Sequence, residues 1–348
     1  MAKKPLARMP LAIIAGVGIV VASSYLGFLA HQCETPSRGA RDSAEVMPTP
    51  YPAVSPETIT PDQSQAAHHA NKTVFLIVME NHDWSSIEDS DDAPFINRTL
   101  LPLASYAREY YNPPGLHPSE PNYLWLEAGT NFGIRDNDPP SSNHQGTARH
   151  LVALLDKAGV SWRSYQEGIS GSDCPLSPTG RYAPRHNPMV FFDDVTNANA
   201  PNSVKCRAHI RPFSELADDL QNNTVARYNF ITPDLCNDMH DKRGCAHFSK
   251  VKNGDDWLAD AVPLIMNSQA YEDGGVLVIT WDEGGHGHDG PIGLIVLSPN
   301  AKGGGYSNTI HYTHSSTLRT VQEIFGVGPL LGDAANATAL SDLFAVYP

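Results

Sequence analysis

Two apolar segments limit most strongly what this chain can fold into. Residues 73–79 and 275–281 are unbroken runs of β-branched and large apolar side chains. Such runs are typical of strands buried on both faces, as in a parallel sheet. Glu80 and Asn81 follow the first run, and Asp282 and Glu283 follow the second. Because the carboxyl ends of parallel strands meet at one edge of a sheet, we expect these polar side chains to lie together.

Helices and further strands alternate around these two segments. The pattern predicts strands at 161–166, 228–231 and 291–298, and helices at 95–107, 146–158, 213–220, 255–271 and 318–325. Residues 168–212 are rich in Pro, Asn, Ser and Gly and indicate a long insertion over the strand ends. This alternation predicts an α/β fold, a three-layer α/β/α sandwich with a largely parallel central sheet.

The charge balance narrows the class of partner. The chain has 348 residues, and 24 basic against 38 acidic side chains give a formal net charge of −14. A nucleic-acid partner is therefore not expected, because binding a phosphate backbone needs a basic face. An anionic substrate would need a bound cation or local Arg and His residues to offset the repulsion.

The N-terminal part has the composition of an export segment. Residues 1–10 carry Lys3, Lys4 and Arg8, and residues 11–30 carry no charge. We expect residues 1–32 to be a membrane anchor or a signal peptide, with an uncleaved anchor favoured by length and cleavage near Ala30 as the alternative. Residues 33–71 are Pro-rich and predict an extended tether, so that the folded domain covers 72–348.

Four of the five cysteines lie in this domain and lack the CxxC spacing of a zinc site. If the domain is exported, they are expected to form two disulfides. The favoured pairs are Cys174 with Cys206 and Cys236 with Cys245, although four cysteines allow three connectivities.

Ser119 is the candidate nucleophile. Pro121 suits the first turn of a helix, which would put the Ser119 hydroxyl at a helix N-terminus, where free N–H groups favour an anion. An ordinary capping serine is the structural alternative. Three aspartates and His240 follow the strand at 228–231, and paired carboxylates follow the strand at 275–281. The aspartates and His240 have metal or acid–base potential, with a helix cap as the structural alternative. Asp282 and Glu283, together with Glu80 and Asn81, form an oxygen-rich set suited to a hard or borderline cation.

Several motifs together resemble the bacterial phosphoesterase family, which contains acid phosphatases and phospholipase C enzymes of the alkaline-phosphatase-like superfamily. The resemblance covers about residues 73 to 345. The motifs are Val78-Met-Glu-Asn81, His117-Pro-Ser-Glu-Pro-Asn-Tyr123, Asn237-Asp-Met-His-Asp241, Asp256-Trp-Leu258, Ile279-Thr-Trp-Asp-Glu283 and the His-x-Ser-x-Leu helix that starts near His314.

The resemblance implies site roles for these positions. It implies a divalent metal ion held by Glu80, Asn81, Asp282 and Glu283, with Ser119 as metal-bound nucleophile. It also implies a phosphoserine intermediate, with His240 and His186 as candidate donors or acids. Asn122, His117 and His314 are expected to contact the substrate. Asp238, His240 and His314 could form a second metal site, so one metal or two stays open.

The expected activity is an extracytoplasmic, metal-dependent acid phosphatase acting on phosphate monoesters of small molecules or phospholipid headgroups. A phospholipase C-type phosphodiesterase and a non-catalytic domain that binds phosphorylated ligands are the alternatives. The long, cysteine-bearing segment 242–254 departs from the family pattern and is expected to reshape the leaving-group pocket. The oligomeric state is not predicted by the sequence.

Overall fold

A single eight-stranded sheet organises the protein, and the structure, a computed structural model, describes residues 72–348. The strand order in this sheet is β5-β4-β6-β1-β7-β8-β2-β9, and β10 and β3 pair separately. The strands are Val74–Met79 (β1), Ser105–Ala107 (β2), Tyr110–Tyr111 (β3), Trp162–Gln166 (β4), Ile210–Pro212 (β5), Tyr228–Thr232 (β6), Val276–Trp281 (β7), Leu294–Leu297 (β8), Tyr306–Asn308 (β9) and Tyr312–Thr313 (β10).

The sheet is largely parallel, as the sequence predicts. The strands β5, β4, β6, β1 and β7 pair in parallel, and β8 runs antiparallel to both β7 and β2. The central strands β1 and β7 are buried along their whole length. Their apolar runs therefore form the centre of the core, with polar residues only past their carboxyl ends.

The α-helices pack in two groups, which form the outer layers of a three-layer α/β/α fold. One group contains α2, α4 and α10, and the other contains α7, α8 and α9. The helices are Leu101–Leu103 (α1), Ser119–Ala128 (α2), Pro140–Asn143 (α3), Leu151–Ala158 (α4), Asp193–Thr196 (α5), Val204–His209 (α6), Leu216–Gln221 (α7), Lys250–Met266 (α8), Gln269–Glu272 (α9) and His314–Phe325 (α10).

The helix predicted over 95–107 is wrong in its second half. A π-helix at Ile96–Leu100 and the short α1 come first, and then Ala104 turns the chain into the extended conformation of β2. All three residues of β2 are buried, and β2 pairs with β8 on one side and β9 on the other. Pairing with two strands thus overrides the local helical pattern.

The helix predicted at 255–271 is longer at its start than expected and breaks near its end. It begins at Lys250, with the Ser249 hydroxyl accepting a hydrogen bond from the Lys252 N–H, and ends at Met266 before the separate α9. Asp255 is therefore not its cap. The Asp255 carboxylate instead accepts hydrogen bonds from the N–H groups of Phe95 (3.0 Å) and Ile96 (2.8 Å).

Helix bounds elsewhere are shorter or shifted. Residues 146–150 are not helical, and α4 covers only 151–158; residues 213–215 form a 3-10 turn before α7. The last helix begins at His314 rather than at 318, with Thr313 as its cap. The Thr313 side chain and the Ser316 hydroxyl form a reciprocal capping box, which starts the helix earlier than its apolar pattern indicates.

The predicted disulfides are confirmed. Cys174 bonds to Cys206 within the insertion, and Cys236 bonds to Cys245 after β6. The insertion 168–212 also contains short helical turns, α5, α6 and the edge strand β5. It is therefore built against the sheet, with β5 paired to β4.

The predicted anchor or signal peptide at 1–32 and the tether at 33–71 lie outside the described residues. Among residues 72–348, none of the helices combines the length and the apolar character needed to cross a bilayer.

The two adjacent aspartates of α8 give a matched test of packing. Replacing Asp255 by Ala removes a buried acceptor from two N–H groups, and we expect the free energy of unfolding to fall by about 2 kcal/mol. Asp256 is partly exposed and pairs with Lys252 and His247, so Asp256→Ala should cost about 0.5 kcal/mol or less. Urea unfolding of the two variants measures both losses of stability. Equal losses would contradict the role of Asp255 as acceptor for the N–H groups of Phe95 and Ile96.

Candidate active site

The register of two central strands brings their following carboxylates together. Met79 of β1 lies opposite Trp281 of β7, so Glu80 and Asp282 leave the sheet side by side. The Asp282 N–H donates to the Met79 carbonyl at 2.9 Å, and the Asn81 N–H donates to Asp282 Oδ1 at 2.9 Å. Both carboxylates are fully buried.

The segment after β6 adds a third buried carboxylate. The Glu80 N–H donates to the Asp238 carbonyl at 2.7 Å, which ties the end of β1 to this segment. Met239, the next residue, has φ of 78°, and Asn81 has φ of 30°. Positive φ in two non-glycine residues beside the carboxylates is backbone strain of the kind that clusters at functional sites.

Ser119 lies where the sequence predicts, at the start of α2. It is the first residue of that helix, follows the extended Pro118, and is 3% exposed. Its hydroxyl donates to Glu80 Oε2 at 3.0 Å, and the Tyr123 hydroxyl one turn later donates to Glu80 Oε1 at 2.8 Å. Helix α2 therefore delivers both hydroxyls to the same carboxylate.

Burial makes the carboxylate cluster electrostatically costly. Desolvation, followed by the charges of Asp282 and Asp238, raises the pKa of Glu80 well above its usual range. Desolvation and the neighbouring Glu283 charge raise the pKa of Asp282, against the opposing effect of hydrogen bonds from Asn81 and Ser119. Desolvation also raises the pKa of Asp238. The three groups can all be ionised only if a positive charge lies close to them.

His186 lies between two of these carboxylates and has the position of a ligand. Its Nε2 is 3.1 Å from Glu80 Oε1 and its Nδ1 is 3.3 Å from Asp238 Oδ2, while its ring stacks on Tyr123. Burial lowers the pKa of His186 well below its usual range, which keeps the imidazole neutral, as metal coordination requires.

Unsatisfied atoms test whether this cluster suits a cation. Three buried atoms here have no hydrogen-bond partner among residues 72–348: His186 Nε2, Asp238 Oδ2 and Asp282 Oδ2. Ligand atoms from Glu80, His186 and Asp238 all lie within 4.8 Å of one another. A mixed oxygen and nitrogen donor set with orphaned atoms fits a divalent metal ion.

The other expected metal ligands form a hydrogen-bond network beside the cluster. Glu283 Oε1 accepts from Asn81 Nδ2 at 2.6 Å, and its Oε2 contacts His117 Nδ1 at 2.5 Å and Asn122 Nδ2 at 3.3 Å. His117 Nε2 also lies 3.0 Å from Asp289. Both oxygens of Glu283 thus have partners already. Asn81, Glu283, His117 and Asn122 lie together at the site, and the buried Asn122 Oδ1 has no hydrogen-bond partner among residues 72–348.

His240 is held by a chain of charged groups at the edge of the site. Its Nδ1 lies 2.9 Å from Asp241, and Arg181 pairs with that carboxylate at 3.2 Å. Its ring centroid is 6.1 Å from that of His186. Within the described part of the chain, its Nε2 has no hydrogen-bond partner and is available to a ligand.

His314 does not take the predicted role of substrate contact. It is fully buried, its Nε2 lies 2.6 Å from the Asp282 carbonyl, and its Nδ1 lies 3.1 Å from the Tyr110 hydroxyl. With both nitrogens engaged, His314 supports the backbone of Asp282 and has no atom left for a substrate or a second metal.

Arg185 is a site residue that the sequence reasoning missed. Its charge acts on Glu80, Asp238, His186 and His240, and across the described residues it has no carboxylate within 4 Å. Its half-buried guanidinium is thus a cation beside the carboxylate cluster that is free to bind an anion. The sequence signal for Arg185 was its position next to His186. An arginine beside a candidate site histidine is a candidate hydrogen-bond donor to an anion.

Comparisons with known proteins find a matching family model and several named relatives. A family model described as Phosphoesterase family matches residues 108–328. A Mycobacterium tuberculosis protein named phosphatidylinositol-3-phosphatase is 30% identical over 271 residues, covering 78% of this chain and 82% of the relative. A probable acid phosphatase of Kluyveromyces lactis is 29% identical, covering 91% of this chain and 77% of the relative.

A solved structure supports the fold alone. A Vibrio parahaemolyticus protein of the alkaline phosphatase superfamily aligns with a TM-score of 0.50 at 12% identity, covering 78% of this chain and 72% of its own. The family match includes Ser119, His186, Asp238 and Asp282 and extends over more than half of the chain. The chain therefore belongs to the Phosphoesterase family, whose named relatives make it a phosphoric ester hydrolase.

Proposed function

We propose that this protein is an extracytoplasmic, metal-dependent acid phosphatase that hydrolyses phosphate monoesters through a phosphoserine on Ser119. The observation that carries the proposal is the Ser119 hydroxyl, 3.0 Å from the buried Glu80 carboxylate at the N-terminus of α2. A hydroxyl that only capped a helix would bond to a backbone N–H. Among residues 72–348, the Ser119 hydroxyl has no such partner and instead donates to a carboxylate. Relatives named acid phosphatase and phosphatidylinositol-3-phosphatase support the substrate class.

The proposed metal ligands are Glu80, His186, Asp238 and Asp282, with Ser119 beside them. A bound divalent cation would lower the pKa of the Ser119 hydroxyl and draw charge from the phosphoryl oxygens. The chain supplies the rest: the carboxylates hold fixed positions because β1, β6 and β7 end together, and the positive end of α2 faces the incoming phosphate.

In the first half-reaction, Ser119 Oγ forms a bond to phosphorus as the bond to the leaving oxygen breaks. The hydrogen bond to Glu80 Oε2 orients the Ser119 hydroxyl and gives its proton an acceptor. His240 donates a proton to the leaving alcohol, and Asp241 stabilises the ring in the required orientation. The guanidinium of Arg185 binds the equatorial phosphoryl oxygens, where charge accumulates.

In the second half-reaction, water attacks the phosphoserine. The now neutral His240 takes a proton from this water, the phosphorus–Oγ bond breaks, and Ser119 regains its proton as phosphate leaves. Asn122, His117 and Glu283 act as positioning residues, because His117, Asn122 and Asn81 all contact the Glu283 carboxylate.

The two disulfides support an extracytoplasmic location, because disulfides persist in oxidising compartments. In this proposal residues 1–32 direct export, either as a membrane anchor at 11–30 or as a removed signal peptide, and 33–71 link them to the catalytic domain.

Replacing Ser119 by Ala should lower kcat for 4-nitrophenyl phosphate at least about 10³-fold, because the substitution removes the hydroxyl that forms the proposed intermediate. Phosphate release by the purified full-length protein measures this, with the exposed Ser170→Ala as the matched control. Retained activity in Ser119→Ala would refute the central role of Ser119. Faster turnover of bis(4-nitrophenyl) phosphate than of the monoester would instead favour the phosphodiesterase.

Removing the metal should reverse the effect of Asp238→Asn on the melting temperature. With a chelator, we expect the melting temperature to fall by at least about 4 °C, because the buried carboxylates are left uncompensated. Asp238→Asn should then raise the melting temperature in chelator, where it relieves repulsion, and lower it with metal, where it removes a ligand. Calorimetry with and without chelator checks this, with the exposed Asp260→Asn as control; identical melting curves would count against a bound metal.

The general-acid role of His240 predicts a dependence on the leaving group. His240→Gln should lower kcat/KM for glycerol 2-phosphate about 10²-fold or more, because its alkoxide needs protonation. It should lower kcat/KM for 4-nitrophenyl phosphate by less than about tenfold, because that leaving group departs without a proton. Steady-state kinetics on both substrates measure the ratio, and equal losses would remove His240 from this role.

A further inference from the structure

A cavity of about 810 Å³ opens next to the candidate active site. Asn81 and Glu283 of the site line it, together with residues on three further segments: His82, Asp83 and Ser86; Lys242 and Phe248 to Val251; and Gly285 to Gly287. Because the cavity shares two residues with the site, a substrate bound at Ser119 can extend into it.

Two lysines of this wall have no carboxylate partner. Within residues 72–348, neither Lys242 nor Lys250 has a carboxylate oxygen within 4 Å, whereas Lys252 of the same segment pairs with Asp256. Asp83 and Glu283 line the same cavity, so its wall carries two lysines and two acidic side chains. Within the described residues, the two ammonium groups are free to pair with an anionic ligand.

Lys250 lines the cavity, and its charge also acts on a catalytic histidine. Burial lowers the pKa of His240, and the positive charge of Lys250 lowers it further; the same charge acts on His82. Lys250 is also the first residue of the 17-residue α8, so the positive end of that helix faces the cavity. A second anion in this cavity would thus meet a helix N-terminus as well as two ammonium groups.

The acidic residues of the cavity are already engaged. Asp83 Oδ1 accepts from the Gly285 N–H at 3.2 Å, and its Oδ2 lies 3.7 Å from His288. Both oxygens of Glu283 have partners within the active site. The cations of the wall are therefore the groups that remain available to a ligand.

We propose that this cavity binds a second anionic group, a phosphate monoester or diester, on the leaving-group side of the substrate, with Lys242 and Lys250 as its donors. The inference rests on the proposed phosphomonoesterase function and narrows its substrate class. The Cys236–Cys245 disulfide closes a loop around Lys242 and so restrains this wall. Phe248, 85% exposed on the same wall, offers apolar surface to the carbon skeleton of the ligand or to a lipid.

The test compares substrates that differ by one phosphate. In the full-length protein, the double variant Lys242→Gln/Lys250→Gln should raise KM for fructose 1,6-bisphosphate about tenfold, because the lost contacts are ground-state contacts. Loss of the Lys250 charge also acts on the pKa of His240, so any change in kcat should stay within about twofold and be the same for mono- and bisphosphate. Values for fructose 1-phosphate and 4-nitrophenyl phosphate should stay within about twofold. Lys157→Gln is the matched control, since Lys157 is an exposed lysine away from the cavity.

Phosphatidylinositol 3-phosphate in phosphatidylcholine vesicles forms the lipid arm, because its diester is the second anion. A loss on this substrate alone would support the subsite with a lipid headgroup as its ligand, and a loss on the sugar bisphosphate would extend it to free phosphates. An equal loss on mono- and bisphosphate, or no loss on either two-anion substrate, would overturn the subsite. A wild-type protein that fails to hydrolyse 4-nitrophenyl phosphate would overturn the phosphatase proposal itself.

Discussion

The charge of three buried carboxyl groups is the constraint on which the rest of the site depends. Glu80, Asp238 and Asp282 are fully buried, and burial raises the pKa of each. The charge of Asp282 raises the pKa of Glu80 and Asp238 further, and the charge of Glu283 does the same for Asp282. Leaving them ionised and unpaired in the interior would cost several kcal/mol per group. The fold can keep them there only if they take up protons or face a cation. The orphaned atoms of His186, Asp238 and Asp282 favour a cation, which we propose to be a divalent metal ion.

The fold holds these groups by backbone pairing more than by side-chain contacts. Strand β1 lies between β6 and β7, and the Glu80 N–H binds the Asp238 carbonyl while the Asp282 N–H binds that of Met79. His314 then binds the carbonyl of Asp282 from α10. Because each carboxylate is fixed through its own main chain, the side chains have little freedom to move apart. Ser119 comes from helix α2, and its hydroxyl donates to Glu80, the carboxylate at the end of the central strand.

How much the sequence predicts depends on whether a feature is local. The apolar runs at 73–79 and 275–281 predict their strands and the polar residues at their ends, and Pro121 predicts the helix start at Ser119, all as observed. The strand order, by contrast, cannot be read from local sequence patterns. The sequence indicates Asp238 only as a candidate ligand of a second metal, because no local signal shows that β6 lies beside β1. In the same way, Ser105 to Ala107 have a helical pattern that pairing with β8 and β9 overrides.

Three histidines show that residue type can indicate that a side chain lies at the site, but not what it does there. His186, His240 and His314 all lie at the site, as expected, yet their partners differ. His186 faces two carboxylates, His240 keeps one nitrogen without a partner in the described chain, and His314 uses both nitrogens within the fold. Which nitrogen is free depends on contacts with Asp241, Tyr110 and the Asp282 carbonyl, all set by tertiary structure. Motif spacing carries no information about those contacts.

The overall charge of −14 opposes an anionic substrate, so the distribution of cations matters more than their number. Repulsion from distant carboxylates is screened beyond about 10 Å at ordinary ionic strength, whereas a cation at contact distance in a half-buried site is screened much less. Arg185 beside the carboxylate cluster and Lys250 at the start of α8 are such cations, and the described chain supplies neither with a carboxylate within 4 Å. Lys252 and Arg211, by contrast, are paired with carboxylates. An acidic protein can therefore attract phosphate locally, because Arg185 and Lys250 lie near the site and have no carboxylate partner in the described chain.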